Sequence, residues 1–384
     1  MENYRIDTPC GPIQGTGCQW PGVAAFKGIR YATAGRWEYP QPVTRWEGVY
    51  DATQYGNCSY QPRAFYDEEQ MPEKAFYYNE FRRGEAYTYS EDCLFLNVWT
   101  PETAEPDSKL PVLVYIHGGG FTGGCGHEKH FDGPVWPTQG VIGVTINYRL
   151  GPMGFVCLPQ LAAEAGHTGN YGLFDQVAAL QWVRANIAAF GGDPDNVTIM
   201  GQSAGAMSVQ QLCLSPLTEG LFHKAVMSSG GGVSKLMSPG APDKNYDFWR
   251  AVMLKAGCAS LAEFRILPPQ QLFEAWTAAK KEQKGALMGG AQQGSHSFGC
   301  DSFHARIQRY GCRWVRSQFH TAAARRKSAA AHTGSEPHGS AADRRSLLPH
   351  RPDGSRIHHR RREVRWTPFP EWKPRERPGG RQGP

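Results

Sequence analysis

The sequence predicts an α/β fold built on a doubly wound, mostly parallel sheet that is incomplete at its C-terminal end. Three observations carry this reading. Short apolar runs of strand length recur at 94–99, 111–116, 141–146 and 196–200. A helical stripe lies between the last two of them. The final run passes at once through Gly201-Gln202-Ser203-Ala204-Gly205 into a second stretch with helical spacing. Strands that alternate with helices bury both faces of a sheet, which is how parallel strands are accommodated.

In chain order, residues 4–30 carry short alternating segments punctuated by Gly11-Pro12, Gly15, Gly17 and Pro21-Gly22, and this predicts a small β-meander. Residues 60–90 are rich in aromatics interleaved with charges and show no clean period. They predict a long excursion with short helical pieces, either a packed loop or the rim of a substrate pocket. The run 94–99 reads as a strand stopped by Pro101. The runs 111–116 and 141–146 are almost continuously apolar, as strands covered on both faces require. Leu173, Val177, Leu180, Val183, Ile187 and Phe190 fall on one helical stripe, with Asn170 as a candidate N-cap and Gly191-Gly192 as the stop. A short Asp-Pro-Asp loop leads into the strand at 196–200. Residues 225–229 predict one more strand, and 246–282 predict helix with a break at Pro268-Pro269.

Composition changes sharply near residue 290. The 384-residue chain has a net charge of +6, but residues 291–384 hold 19 Lys and Arg against 7 Asp and Glu. Residues 1–290 therefore hold 22 basic and 28 acidic residues and are net acidic. The tail also has only ten Val, Ile, Leu, Met and Phe, too few to cover a core, and it is expected to be disordered or loosely collapsed. Its charges would allow nucleic-acid binding, but no motif orders them, so no nucleic-acid partner is expected. No apolar run is long enough to span a bilayer, and the N-terminus lacks the pattern of a signal peptide, so the expected compartment is the cytoplasm and no membrane partner is expected. The ten cysteines form no CxxC pair, so neither a metal nor a redox motif is read from the sequence. Two glycosylation sequons, at Asn57 and Asn196, are then chance matches.

The chemistry centres on Ser203. Glycines on both sides permit a turn too tight for a side chain, and they raise the Ser203 hydroxyl from the end of a strand. The amide of Ala204 stands at a helix N-terminus, where N–H groups lack intrahelical partners and favour negative charge. A second glycine run, Gly118-Gly119-Gly120, follows the strand at 111–116 and offers main-chain amides that no β-carbon shields. A phosphate cradle is the rival reading, but no Gly-Lys-Ser/Thr follows the glycines. The pattern fits acyl transfer through a serine nucleophile, which also needs a base, an acid that orients it, and oxyanion donors.

Several motifs stand together in order: Ser90-Glu91-Asp92-Cys93-Leu94-Phe95-Leu96-Asn97-Val98-Trp99, His117-Gly118-Gly119-Gly120-Phe121, Asn147-Tyr148-Arg149-Leu150-Gly151-Pro152, Gly169 to Gln176, and Gly201 to Gly205. In these, residues 4–285 resemble the type-B carboxylesterase/lipase family, which includes para-nitrobenzyl esterases and cholinesterases. The resemblance implies an α/β-hydrolase fold and cofactor-free hydrolysis of a small-molecule carboxylic ester. It implies Ser203 as nucleophile and the amides of Gly119, Gly120 and Ala204 as the oxyanion hole. It further implies structural ion pairs between Arg149 and Asp175 and between Arg36 and Glu91. Cys58 and Cys93 match a pair that is bridged in secreted members, and both are expected reduced in a cytoplasmic chain.

The family's acid and histidine should follow the serine in that order. The acidic candidates are Asp301, Glu336, Asp343 and Asp353. The later histidines are His296, His304, His320, His332, His338, His350, His358 and His359, and none sits in the family's context. His338-Gly339 is the one dipeptide that resembles it. The earlier histidines, His117, His127, His130, His167 and His223, read as structural or solvated. The base and acid are thus unassigned. Family-like sequence gives way to an Arg/Ser/Pro/His/Ala-rich tail, the signature of a coding sequence read in the wrong frame. The expected division is 1–290, part of a hydrolase domain, and 291–384, the tail. The alternative to an esterase is a catalytically silent remnant or binding module on the same scaffold.

Overall fold

The glycines near the N-terminus turn the chain back on itself twice. In the computed structural model, which describes residues 3–131, 133–231 and 243–289, β1 (Asn3–Thr8), β2 (Gly11–Gly17) and β3 (Val23–Arg30) form the expected antiparallel meander. β3 pairs antiparallel with β4 (Phe95–Pro101), which takes in Pro101 as its last residue. β4 pairs antiparallel with β6 (Ile142–Ile146), which then runs parallel to β5 (Leu110–Ile116). β7 (Gly192–Gln202) and β8 (Lys224–Ser228) continue the parallel half. The nine-stranded sheet has the order β1-β2-β3-β4-β6-β5-β7-β8, with the two-residue strand Tyr50–Asp51 beside β2. The sheet is therefore mixed, antiparallel at the N-terminal end and parallel where the glycine motifs lie.

Burial follows the apolar runs. Every residue of β6 is buried, as are Val112, Val114 and Ile116 of β5. Layers on both faces explain β6, because a strand with one wet face would alternate. β5 is covered on both faces only toward its C-terminal end, where Val114, Tyr115 and Ile116 are all buried, while Pro111 is exposed and Leu113 half-buried. The 60–90 segment holds three 3₁₀ turns and α1 (Ala75–Phe81), the short helical pieces expected there. Two short helices, α2 (Gly151–Gly154) and α3 (Pro159–Ala165), precede α4 (Tyr171–Asn186).

α4 contains the whole predicted stripe up to Val183, and a 3₁₀ turn carries Ile187 and Phe190 on to Gly191, whose φ of 84° ends it. Asn170 occupies the N-cap position, but its backbone is left-handed (φ 56°) and its side chain does not cap the helix. The helix is also buried on more than the predicted stripe, since Asp175, Gln176, Ala178 and Trp182 are buried too. The Asp-Pro-Asp segment expected as a loop lies within β7. Gly192 pairs with Leu110, and a register shift absorbs the next residues before Val197 pairs with Val112.

α5 (Ala204–Leu214) follows Ser203 directly. The 246–282 region forms α6 (Asp243–Lys255), α7 (Leu261–Ile266) and α8 (Pro269–Gly289), with the break at Pro268-Pro269 as expected. Ser260 and Glu263 form a capping box at the start of α7. A second apolar cluster, including Trp37, Tyr171, Trp249, Phe264, Phe273 and Trp276, joins these helices to α4. Among the described residues, no helix is long and apolar enough to cross a membrane. The tail at 291–384 lies outside the described residues.

Candidate active site

The turn between β7 and α5 is shaped by what its glycines exclude. A β-carbon on Gly201 would lie 2.8 Å from the Ala206 nitrogen and run into the Gly205 carbonyl. One on Gly205 would collide with the Ile116 carbonyl oxygen and lie 2.9 Å from that of His117. With both positions bare, α5 packs its first turn against the end of β5. Ser203 is left at φ 53° and ψ −120°, a conformation that L side chains rarely adopt. Its amide donates to the Ser228 carbonyl (2.9 Å) at the end of β8, and its carbonyl accepts from the Met207 amide (3.0 Å). Ser203 is half-buried, Gln202 before it is exposed, and Ala204 is buried.

The glycine loop stands beside this turn. A β-carbon on Gly118 would lie 2.6 Å from the Gln202 carbonyl oxygen and 3.3 Å from Ser203 Cβ. Only a bare backbone fits between β5 and the serine turn. Gly119 (φ 102°), Gly120 (φ 62°) and Phe121 (φ 59°) then run left-handed, and the amides of Thr122 and Gly123 both close onto the Gly119 carbonyl at 3.1 Å. Gly119 and Gly120 are exposed, and among the described residues neither amide donates to a backbone carbonyl. The loop is anchored at both ends. The Gly151 amide donates to the Phe121 carbonyl (2.7 Å), and the Tyr148 hydroxyl donates to the His117 carbonyl (2.9 Å).

The five described histidines are each engaged elsewhere. His117 is buried, stacks on Tyr148 (4.4 Å) and donates from Nδ1 to the Gly118 carbonyl (2.8 Å). Burial pushes its pKa down despite that hydrogen bond. His127 stacks on Tyr55 (4.5 Å), and His130 sits against Phe81 and the Glu128 carboxylate. His167 bonds the Ala165 carbonyl (2.8 Å), and His223 Nδ1 accepts from the Val197 amide (3.2 Å). Of the predicted site residues, then, Ser203 and Ala204 stand in one turn beside Gly118, which leads into Gly119 and Gly120. All of the acid and histidine candidates from Asp301 and His296 onward lie outside the described residues.

The two implied ion pairs are present. Arg149 grips Asp175 through Nε–Oδ2 (2.9 Å) and Nη2–Oδ1 (2.7 Å), with both side chains almost wholly buried. Arg36 donates from Nε to Glu91 Oε2 (2.8 Å) and also bonds the Leu267 carbonyl. Cys58 and Cys93 are both buried free thiols, and burial pushes Cys93 up to about 12.

One cluster was not read from the sequence. Cys58, Cys125 and His127 are all buried, and their Sγ and ring-nitrogen atoms lie within 4.8 Å of one another, a donor set suited to a thiophilic metal ion. Burial resists ionisation of Cys125, but the Cys58 hydrogen bond and the His127 ring outweigh it and hold Cys125 below the usual thiol range. The local signal was Cys-Gly-His at 125–127. Its third member lies 67 residues upstream and comes near only through the fold.

The profile of the Carboxylesterase family matches residues 2–294. The chain belongs to the carboxylesterase family. It is 46% identical over 235 residues to the para-nitrobenzyl esterase of Bacillus subtilis (strain 168), covering 60% of this chain and 44% of that one. It is 39% identical over 278 residues to the bile salt-activated lipase of Mus musculus, covering 68% and 42%. The solved structure of a thermophilic PNB esterase superposes with a TM-score of 0.62 at 38% identity, covering 73% of this chain and 55% of that one. The fold is thus that of the α/β-hydrolases, and the chain spans less than half the length of these curated relatives.

Proposed function

We propose that the chain is built as a serine hydrolase of small-molecule carboxylic esters that works through an acyl-enzyme. The Ser203 hydroxyl attacks the ester carbonyl carbon, and the carbonyl oxygen becomes a tetrahedral oxyanion. The amides of Gly119, Gly120 and Ala204 receive that charge, the alcohol leaves, and water releases the acid in a second passage through the same geometry. The reaction as written needs no cofactor. The observation that supports this reading is the seat of Gly118, whose added β-carbon would lie 3.3 Å from Cβ of the strained Ser203, with the exposed Gly119 and Gly120 next in the chain. The relatives' names, an esterase and a lipase, agree with the substrate class.

A general base must take the serine proton, and its orienting acid must follow. We place both in the sequence that a restored reading frame beyond residue 290 would supply. Translating the gene in the other two frames beyond codon 290 checks this: a frame with an acid, a His-Gly and apolar periodicity supports it, and random composition in both refutes it. Without the base and acid, oxyanion donors and binding alone leave roughly 10³–10⁴-fold acceleration over water.

The engagement of all five described histidines favours a second reading, a folded but catalytically silent scaffold. Turnover of a p-nitrophenyl ester by the purified full chain, abolished in Ser203→Ala, decides for the esterase. A folded chain that turns over no faster than Ser203→Ala decides for the scaffold.

A further inference from the structure

Behind the glycine loop, three buried side chains from two distant segments present a set of metal-binding atoms to one another. Cys58 begins the short strand Cys58–Ser59, whose amide donates to the Thr88 carbonyl at 2.7 Å. Cys125 and His127 follow the turn that carries Gly119 and Gly120. We propose that Cys58, Cys125 and His127 form a buried site for a thiophilic divalent cation, zinc, which pins the glycine loop to the segment at 57–61.

The geometry supports this before any ion enters. Zn–S bonds of about 2.3 Å and Zn–N bonds of about 2.0–2.1 Å at a tetrahedral angle separate sulfur from nitrogen by about 3.6 Å. Cys58 Sγ and His127 Nε2 are 3.6 Å apart. All the ligand atoms lie within 4.8 Å of one another, so closing onto one ion needs only small movements. Two sulfurs and an imidazole select zinc over calcium or magnesium, which take oxygen ligands. Three protein ligands leave the fourth position for a small exogenous ligand such as water.

The site is also held in place. The Gly124 amide donates to Gln61 Oε1 (3.0 Å), and Gln61 Nε2 donates back to the carbonyls of Gly124 (3.1 Å) and Ser59 (3.2 Å). The Gly126 amide donates to Asn147 Oδ1 (2.7 Å), while Asn147 Nδ2 donates to the Asn57 carbonyl (2.9 Å). Two side-chain amides thus fix the backbone on either side of Cys125 to the segment that carries Cys58. Tyr55 and Tyr87 hold the His127 ring at 4.5 and 5.4 Å. Among the described residues His127 Nδ1 has no hydrogen-bond partner, and Nε2 faces Cys58 Sγ. The neighbouring charges balance without the site, since Glu128 is buried against Arg63 (2.6 Å) and Arg82 pairs chiefly with Glu68, two carboxylates against two guanidiniums.

The test uses the full chain, reduced and stripped of metal. The tail's histidines and its two cysteines are silenced as competitors by a Cys300→Ser/Cys312→Ser background and by a spectroscopic readout that only thiolate ligation gives. Titration with Co²⁺ should give one equivalent bound per chain, with thiolate-to-cobalt charge transfer and strong tetrahedral d–d bands. Zn²⁺ should displace it and raise the melting temperature. Cys58→Ser and Cys125→Ala should each weaken Zn²⁺ binding by about 100-fold or more, and Cys213→Ser should leave it unchanged. If a ligand variant does not fold, the parent's own charge-transfer band and one-to-one stoichiometry still decide. Absence of that band, or equal affinity in a folded Cys58→Ser or Cys125→Ala chain, overturns the proposal.

Discussion

Replacing Gly118 by alanine puts a methyl group into the seam between the glycine loop and the serine turn. Ordinary contacts to a β-carbon begin at about 3.4 Å, and this one would meet the Gln202 carbonyl oxygen at 2.6 Å and Ser203 Cβ at 3.3 Å. The two backbones must therefore part by about 0.8 Å. Gly118 is not among the positive-φ glycines, so the cost is crowding and not conformation. Crowding of this kind destabilises by about 1–3 kcal/mol. The larger effect falls on chemistry, because a displacement of about 1 Å costs on the order of 100-fold in rate. Urea unfolding should show the first effect, and the rate of fluorophosphonate labelling at Ser203 should show the second. Gly17→Ala, whose methyl would meet only the Tyr4 ring at 3.8 Å, serves as the control for both. A folded Gly118→Ala chain labelled at the parent rate would refute the placement of the loop beside the reacting hydroxyl.

Three further outcomes follow from the same geometry. Arg149→Leu strands the fully buried Asp175 carboxylate and should cost about 3–5 kcal/mol in urea unfolding, while Arg149→Leu/Asp175→Leu should recover most of it; an unchanged midpoint in the single variant would contradict the role of the pair. Ser203→Gly relieves the φ 53° backbone and should unfold about 1 kcal/mol later than the inactive Ser203→Ala, which keeps the strain; equal stabilities would show that the turn stores none. Burial lowers the His117 pKa below the ordinary 6.5, so the unfolded chain binds the proton more readily. The stability this gives is whole above about pH 6.5 and declines as the pH falls below it. Unfolding curves between pH 7.5 and 5 should show that decline, and a folded His117→Asn chain should show less of it; identical slopes would count against the assignment.

Much of the architecture is legible because the sheet interior leaves few options. The apolar runs at 94–99, 111–116 and 141–146 all mark strands, the last buried at every position of β6, and the glycines at 201 and 205 are explained by backbone that would otherwise collide. Legibility fails where one local signal serves two purposes. Asn170 looks like a cap, but its value at that position is tolerance of a left-handed backbone. Asp175 and Gln176 lie off the predicted apolar stripe and are buried nonetheless, since Arg149 and Ser208 supply their partners across the fold. Asp193-Pro194-Asp195 has turn chemistry, yet a register shift takes it into β7. Cys58 and Cys125 carry no CxxC signal, because 66 intervening residues must fold before the thiols meet. The family resemblance supplied what periodicity does not, the pairing of Arg36 with Glu91 and of Arg149 with Asp175.

A crystal structure of the full chain after reaction with a p-nitrophenyl phosphonate tests the central claim most directly. The account predicts phosphorus bonded to Ser203 Oγ, with one phosphoryl oxygen about 2.7–3.1 Å from the amide nitrogens of Gly119, Gly120 and Ala204. An adduct on another residue, or a phosphoryl oxygen turned away from those three nitrogens, would contradict it.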